Sequence, residues 1–471
     1  MTMGHGMGHS MGQRMTDRPA LRWALGLAAV MLLSGCPEVD EPGVTLAIEN
    51  VAVVAMDAPR VLPQQTVLIA GDTIVSVADA GTVSRPWRTP RVDGSGLFLM
   101  PGLAEMHARL PGDDRADLQA AALALFVSRG VTFVRGLAGH PGHPELRDAI
   151  AAGERFGPTL AVGSPVLSDQ LEAPEEARAA VRQYAADGFD LITVGEQLTP
   201  ATYFPLVEVA RELGLPVAGR VPSAVGLLDA LRAGQDTVEH LDKYVETLRT
   251  LEAPGVVTPV VGAADVLPHV ERERIPQLVD ATLDARAAVV PTMVLWERLF
   301  GPTPVEDYSE AIAETLDLPP ELLDAWTSQI EDVRAQIDPE RGQALLELRK
   351  EILRALHTGG VYILLGSGAL EAFNVPGMSL HEEMRYLQDE VGLPPYEVLF
   401  SATRAAAEHL GTPEAFGTVI PGRRADLLLV RDNPLEDVGH VAGIEGVVIR
   451  GRWFSAEDLQ TELYRGAAGN K

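Results

Sequence analysis

Three things are scarce in this chain. One cysteine, Cys36, stands among 471 residues, which excludes an internal disulfide framework and a zinc site built on thiolates. Basic residues are outnumbered, 38 Lys and Arg against 66 Asp and Glu, for a formal net charge of −28. A surface that acidic is repelled by phosphate backbones, so no nucleic-acid partner is expected. The apolar run near the N-terminus, residues 24–33, is too short to span a bilayer, which takes about 20 residues. The rest is ordinary: 46% hydrophobic and 22% charged excludes both a disordered chain and a multi-span membrane protein. The length suits a single α/β barrel with a small appendage.

Arg18 and Arg22 precede that apolar run, and Leu33-Ser34-Gly35-Cys36 closes it. A basic start, a short apolar stretch and small residues before a cut site read as a secretory signal peptide over residues 1–35. The ending resembles the bacterial lipobox, in which the cysteine is acylated and becomes the new N-terminus. That resemblance implies a lipid anchor at Cys36, a linker over 36–43 and a place on a cell-envelope membrane. The alternative is a short membrane anchor or a buried helix. Cleavage would remove Arg14, Arg18, Arg22 and Asp17, leaving 35 basic against 65 acidic residues, a net −30. The Met/His/Gly-rich residues 1–12 are read as sequence upstream of a start at Met15.

Residues 46–56, 65–69, 73–78 and 97–100 read as short strands separated by turns, and the same texture returns at 425–430 and 446–449. Between them lie eight apolar runs, at 102–107, 131–137, 159–166, 191–194, 216–221, 237–241, 288–295 and 361–365. The intervening stretches carry the 3.6-residue period of helices, as at 202–213 and 226–233. Eight buried strands alternating with helices predict an α/β fold, a (β/α)₈ TIM barrel over 100–414. The flanks, 44–99 and 415–459, are expected to combine into one small β-sandwich, with 460–471 as a C-terminal tail. The insertion over 296–360 is amphipathic and acidic, and should add helices over the barrel mouth.

The segment from Leu99 to Arg109 (Leu-Met-Pro-Gly-Leu-Ala-Glu-Met-His-Ala-Arg) resembles the first barrel strand of the amidohydrolase superfamily. The imidazolonepropionase and Xaa-Pro or Xaa-Arg dipeptidase branch is the most similar. Matches follow in order at Asp190-Leu191-Ile192-Thr193-Val194, at Pro216-Val217-Ala218-Gly219-Arg220, at Val238-Glu239-His240-Leu241 and at Leu365-Gly366-Ser367-Gly368. Ser379-Leu380-His381-Glu382 and the run from Gly417 to Asp426 extend the resemblance over nearly the whole mature chain.

The resemblance implies one or two divalent metals at the barrel mouth. The family's ligands are a His-x-His pair on strand one, a carboxylated Lys on strand four, a His on strands five and six, and an Asp on strand eight. Here strand one reads His107-Ala108-Arg109, and a guanidinium offers donors only. Thr193 stands at the lysine position, Arg220 at the strand-five histidine and Gly368 at the aspartate. Only His107 and His240 survive, fewer than the three protein ligands of a catalytic zinc site. No metal cofactor is therefore expected, with zinc or another divalent ion on a rebuilt site as the alternative.

Other residues fall near the mouth and could contribute to such a site. His140 and His143 follow strand two, and read best as loop histidines. Glu196 and Glu371 follow strands four and eight, and read as helix-start charges or ion-pair partners. His381 matches a family position and could touch a ligand, or be a hydrogen-bonded histidine. Arg109 and Arg220 have three readings. They plug the vacated site by pairing with Glu105, Glu239, Glu196 or Glu371, or they form a fork for a small anionic ligand, or they belong to a metal-free hydrolase. No Gly-x-Ser-x-Gly elbow supports the last. The chain thus reads as a binding or scaffold protein with a degenerate site, as a C–N hydrolase on a rebuilt site, or as a structural envelope protein with a vestigial pocket.

Overall fold

The computed structural model describes residues 43–250, 262–313 and 318–468. The signal peptide expected over 1–35, Cys36 and nearly all of the expected linker lie outside the described residues. The N-terminal flank forms β1 (Val44–Val53), β2 (Leu62–Ala70), β3 (Thr73–Asp79), β4 (Arg91–Asp93) and β5 (Phe98–Pro101). The barrel follows with β6 (Leu103–Arg109), β7 (Val131–Leu137), β8 (Thr159–Val162), β9 (Ile192–Val194), β10 (Val217–Gly219), β11 (Thr237–Glu239) and β12 (Ala288–Val290). The C-terminal flank adds β13 (Leu427–Val430), β14 (Ile444–Ile449) and β15 (Arg452–Ser455).

The two flanks share one eight-stranded sheet, in the order β15-β14-β13-β5-β1-β2-β3 with β4 beside β1. Its seam is the antiparallel β5–β13 pair, with Leu427 opposite Pro101 and Val430 opposite Phe98. Side chains alternate across that seam. Leu427 and Leu429 enter the flank core with Ile48 and Val67, while Leu428 and Val430 face the barrel core. The turn after β14 closes against the turn between β2 and β3. Gly451 has φ +74°, and a Cβ there would stand 1.8 Å from the Gly71 carbonyl oxygen. Gly451→Ala therefore combines a left-handed backbone penalty with a backbone clash. It should lower stability by about 2–3 kcal/mol, read as an earlier urea midpoint with unchanged slope.

The barrel strands are parallel and hydrogen-bonded in two arcs, β6-β7-β8 and β9-β10-β11-β12. A bridge between Gly163 and Leu191 joins the arcs. The eighth strand expected at 361–365 is an extended segment instead of a regular strand. Leu364 N–H donates to the Val289 carbonyl at 2.9 Å and Leu365 accepts from Met106 N–H at 2.9 Å, so the circle closes. The segment's own pairing is diverted, since Leu365 N–H donates to Ser401 at 3.1 Å.

The insertion forms the helices Met293–Phe300, Val305–Ala313, Pro320–Gln336 and Pro339–Gly359. Trp296 Nε1 (3.0 Å) and Arg349 Nη1 (2.8 Å) both donate to the His240 carbonyl, so these helices brace the sixth strand at its mouth end. The tail expected at 460–471 is corrected by the helix Ala456–Ala468. Leu459 and Leu463 recur at i,i+4 and pack on the core. Gly466 lets the helix approach closely, since a Cβ there would meet the Ala120 carbonyl at 3.1 Å.

Candidate functional site at the barrel mouth

Residues at i and i+2 of a strand share a face, so β6 points Glu105, His107 and Arg109 the same way. His107 is buried, with Nδ1 2.7 Å from Glu239 Oε2. Glu239 also accepts from Arg135 Nη2 at 2.8 Å and Thr237 Oγ1 at 2.7 Å. Burial pushes the Glu239 carboxyl up, but Arg135 and His107 outweigh it and hold the group below its ordinary value. An ionised carboxylate can only accept. His107 therefore carries its proton on Nδ1, and its buried Nε2 has no partner among the described residues.

His240 stands 4.5 Å away, ring centroid to ring centroid. Its Nδ1 is 2.7 Å from Thr292 Oγ1, whose own proton goes to the Pro291 carbonyl at 2.8 Å. The hydroxyl must then accept, so His240 also donates from Nδ1 and keeps an Nε2 lone pair. Burial first, then His107, Arg220, Arg109 and Arg349, push its pKa well below that of free imidazole. It is neutral at pH 7. A histidine whose other nitrogen is fixed by a hydrogen bond is poised to ligate through its free one.

Glu371 supplies a third donor, which corrects the expectation that only two remain. Donor atoms of His107, His240 and Glu371 all lie within 4.8 Å of one another. The loop is pinned to β6, with Gly368 N–H donating to the His107 carbonyl and Glu371 N–H to the Gly368 carbonyl, each at 2.9 Å. A Cβ on Gly368 would sit 3.5 Å from Glu371 Oε2. The carboxylate missing at 368 is thus replaced in space from three residues later. No ligand-spacing rule would place it there; its position just after the eighth strand was the only clue.

The arginines are paired, though not quite as expected. Arg109 Nε meets Glu371 Oε1, while Arg220 Nη1 lies 3.7 Å from Asp242 Oδ1. Glu105, Glu239 and Glu196 are engaged elsewhere. Glu105 accepts from Ser367 Oγ at 2.6 Å, and burial pushes its carboxyl up to about 7. Glu196 accepts from Lys243 Nζ at 2.6 Å and Ser223 Oγ at 2.7 Å. Asp242, two residues past His240, went unread as a partner. Both arginines line one cavity of about 350 Å³ with His107, Thr193, Glu196 and His240. The Thr193 hydroxyl is buried there without a partner among the described residues.

Three histidines fall away from the mouth cavity. His381 is corrected as a ligand contact: its Nε2 is 2.8 Å from the Arg129 carbonyl, and Arg129 precedes β7, at the opposite end of the barrel. Burial there pushes its pKa down to about 4. His143 Nε2 is 3.1 Å from the Pro111 carbonyl, and its Nδ1 accepts from His140 N–H at 3.1 Å. Neither lines the mouth cavity. Arg135, inside the apolar run of β7, was missed altogether although it sets the charge of Glu239.

The donor set fits one cation and not two. Two imidazoles held through Nδ1 and a carboxylate suit a single divalent ion with an open position. Thr193 cannot bridge a second metal, and Arg220 would repel it.

A profile of the Amidohydrolase family matches residues 98–454. Comparison with curated proteins finds no match. Among solved structures, the chain is similar to a putative prolidase from Bifidobacterium longum, with 23% identity and a TM-score of 0.66, covering 90% of this chain and 100% of that one. A Xaa-Pro dipeptidase with bound methionine gives 20% identity and a TM-score of 0.64, over 87% and 99% of the two chains. A molinate hydrolase gives 15% and 0.65, over 89% and 96%. At such identities these likenesses speak to the fold.

Proposed function

The chain belongs to the amidohydrolase family, and from that premise we propose that its barrel mouth binds a small anionic molecule in place of the family's two-metal hydrolysis. One observation carries this reading. Arg109 and Arg220, standing where the family has imidazoles, line the same cavity and are 46% and 28% exposed. Each leans on a single carboxylate and keeps guanidinium donors for a ligand. A carboxylate or phosphate suits those planar forks better than a neutral amide does. The neighbouring His240, neutral at pH 7, adds no repulsion.

Titration calorimetry with succinate, glutarate and inorganic phosphate tests the proposal. At least one should bind, and Arg109→Ala or Arg220→Ala should each weaken it about tenfold to a hundredfold, the worth of a charged hydrogen bond. No binding by any of the three, with turnover of dipeptides or cyclic amides, would reject it. Silence in both assays would mean a vestigial pocket.

The grouping of His107, His240 and Glu371 favours a second reading, a C–N hydrolase on one rebuilt metal site. These three residues would hold a divalent ion, which when bound supplies Lewis-acid polarisation and an acidified water. Glu239 and Thr292 would orient the two imidazoles. Arg220, or Arg109 once released from Glu371, would hold a substrate carboxylate. Chelator-sensitive turnover of a dipeptide would select this reading over the first.

A further inference from the structure

We propose that the base of the barrel, opposite the mouth, carries a second anion site formed by Arg155, Arg450 and Arg452. Its ligand is the phosphate of an anionic phospholipid headgroup, and it seats the chain on the membrane. The proposal is independent of what the mouth binds.

The three guanidiniums line a hollow of about 190 Å³ together with Phe156, Phe454 and Glu462. In a chain of net charge −28, none of the three forms an ion pair among the described residues. The nearby carboxylates are already committed. Glu462 pairs with Arg465, while Asp426 pairs with Arg424 and accepts the Arg450 backbone N–H at 2.7 Å. Arg450 Nη1 reaches the Gly157 carbonyl at 3.3 Å and Arg155 Nη2 reaches Gln119 Oε1 at 3.4 Å. Their other donors are left for an anion. Arg452 lies over the Phe454 ring, 5.4 Å to its centroid, and Phe156 meets that ring edge-on at 5.3 Å. Burial, Arg424 and Arg452 hold the Arg450 pKa below its ordinary value against the pull of Asp426. Guanidiniums crowded together with donors to spare make a site for a phosphate.

The position of the hollow selects the source of that phosphate. Arg155 lies just before β8, at the N-terminal end of the barrel strands. The Arg450-Gly451 turn abuts Gly71, and Ala70 pairs with Val44, where β1 begins. Only seven residues separate Val44 from Cys36, a tether of at most about 28 Å when fully extended. An acylated Cys36, as the lipobox resemblance implies, would hold this end of the molecule near the bilayer. Trp87 stands at the same end. It precedes Arg91, which lies beside Ala47 in parallel register, and it is 80% exposed with Arg88 stacked at 4.5 Å. Tryptophan beside arginine is the pairing that the lipid headgroup layer favours.

The test uses the full chain carrying Cys36→Ala, floated with vesicles of phosphatidylcholine alone or with one-third phosphatidylglycerol. Binding should favour the anionic vesicles and fall as salt rises. Arg155→Ala/Arg452→Ala should weaken that preference by about fivefold per arginine with an unchanged unfolding midpoint. Trp87→Ala should weaken binding to both vesicle types. Equal binding to the two compositions overturns the proposal, as does an anionic preference that survives the double variant. Inorganic phosphate that binds at the three arginines while vesicles show no preference would assign the hollow to a free phosphate and reject the membrane role.

Discussion

Arg135→Ala should destabilise the chain by about 3–5 kcal/mol, the cost of stranding a buried charge. Arg135 is 2% exposed. It donates to the Met106 carbonyl at 2.7 Å, to Thr237 Oγ1 at 3.0 Å and to Glu239 at 2.8 Å. Without it, burial is opposed only by His107 and Thr237, and the Glu239 carboxyl should move above its ordinary value instead of below. The pH dependence should invert with it. In the native chain Glu239 contributes stability above the unfolded carboxylate pKa, and that contribution is lost as pH falls through its lower folded value. In the variant the group resists ionisation, so the deficit grows as pH rises past the unfolded value. A protonated Glu239 could donate to His107 Nδ1, which would move the imidazole proton to Nε2 and remove the lone pair facing the cavity. Arg135→Met/Glu239→Gln should recover much of the loss by removing both charges together. Chemical denaturation at pH 5 and pH 8 reads all of this, and a change under about 0.5 kcal/mol in Arg135→Ala would show that the pair is dispensable.

Zinc should bind to at most one site per chain, and Glu371→Gln should weaken it by about a hundredfold or more. Among the described residues no other carboxylate in the mouth is free to replace it: Glu105 accepts from Ser367, Glu196 from Lys243 and Glu239 from Arg135. Arg109→Ala should act in the opposite direction. Its guanidinium sits on Glu371, so an incoming ion must displace one positive charge and tolerate it nearby, and removing it should raise affinity about tenfold. Competition with a chromophoric chelator gives the constants, and metal analysis after dialysis gives the stoichiometry. Two ions per chain, or an unchanged constant in Glu371→Gln, would rule out this donor set.

The family resemblance made the losses at the mouth legible. Because i and i+2 share a face, Arg109 could be placed beside His107, while Thr193, Arg220 and Gly368 were placed at ligand positions by the resemblance. The barrel was legible from apolar runs alternating with helical stretches, and the joining of the flanks from the return of short strands near the C-terminus; the β5–β13 seam was not. Glu371 was not, because it reaches the site through a loop with left-handed backbone at Gly368, Ala372 and Phe373, where spacing along the chain no longer fixes direction. Arg135 was hidden differently. An arginine in an apolar run gives no sign of the carboxylate it meets, and Glu239 lies four strands further round the barrel. The C-terminal helix was missed because its short apolar stripe is interrupted by acidic and small residues.

The seam between β5 and β13 also bears on how the chain is made. Synthesis delivers β1 to β5 first and β13 to β15 last, so the sheet they share stays incomplete until nearly every residue has left the ribosome. Leu99 and Met100 spend that interval without their partner strand.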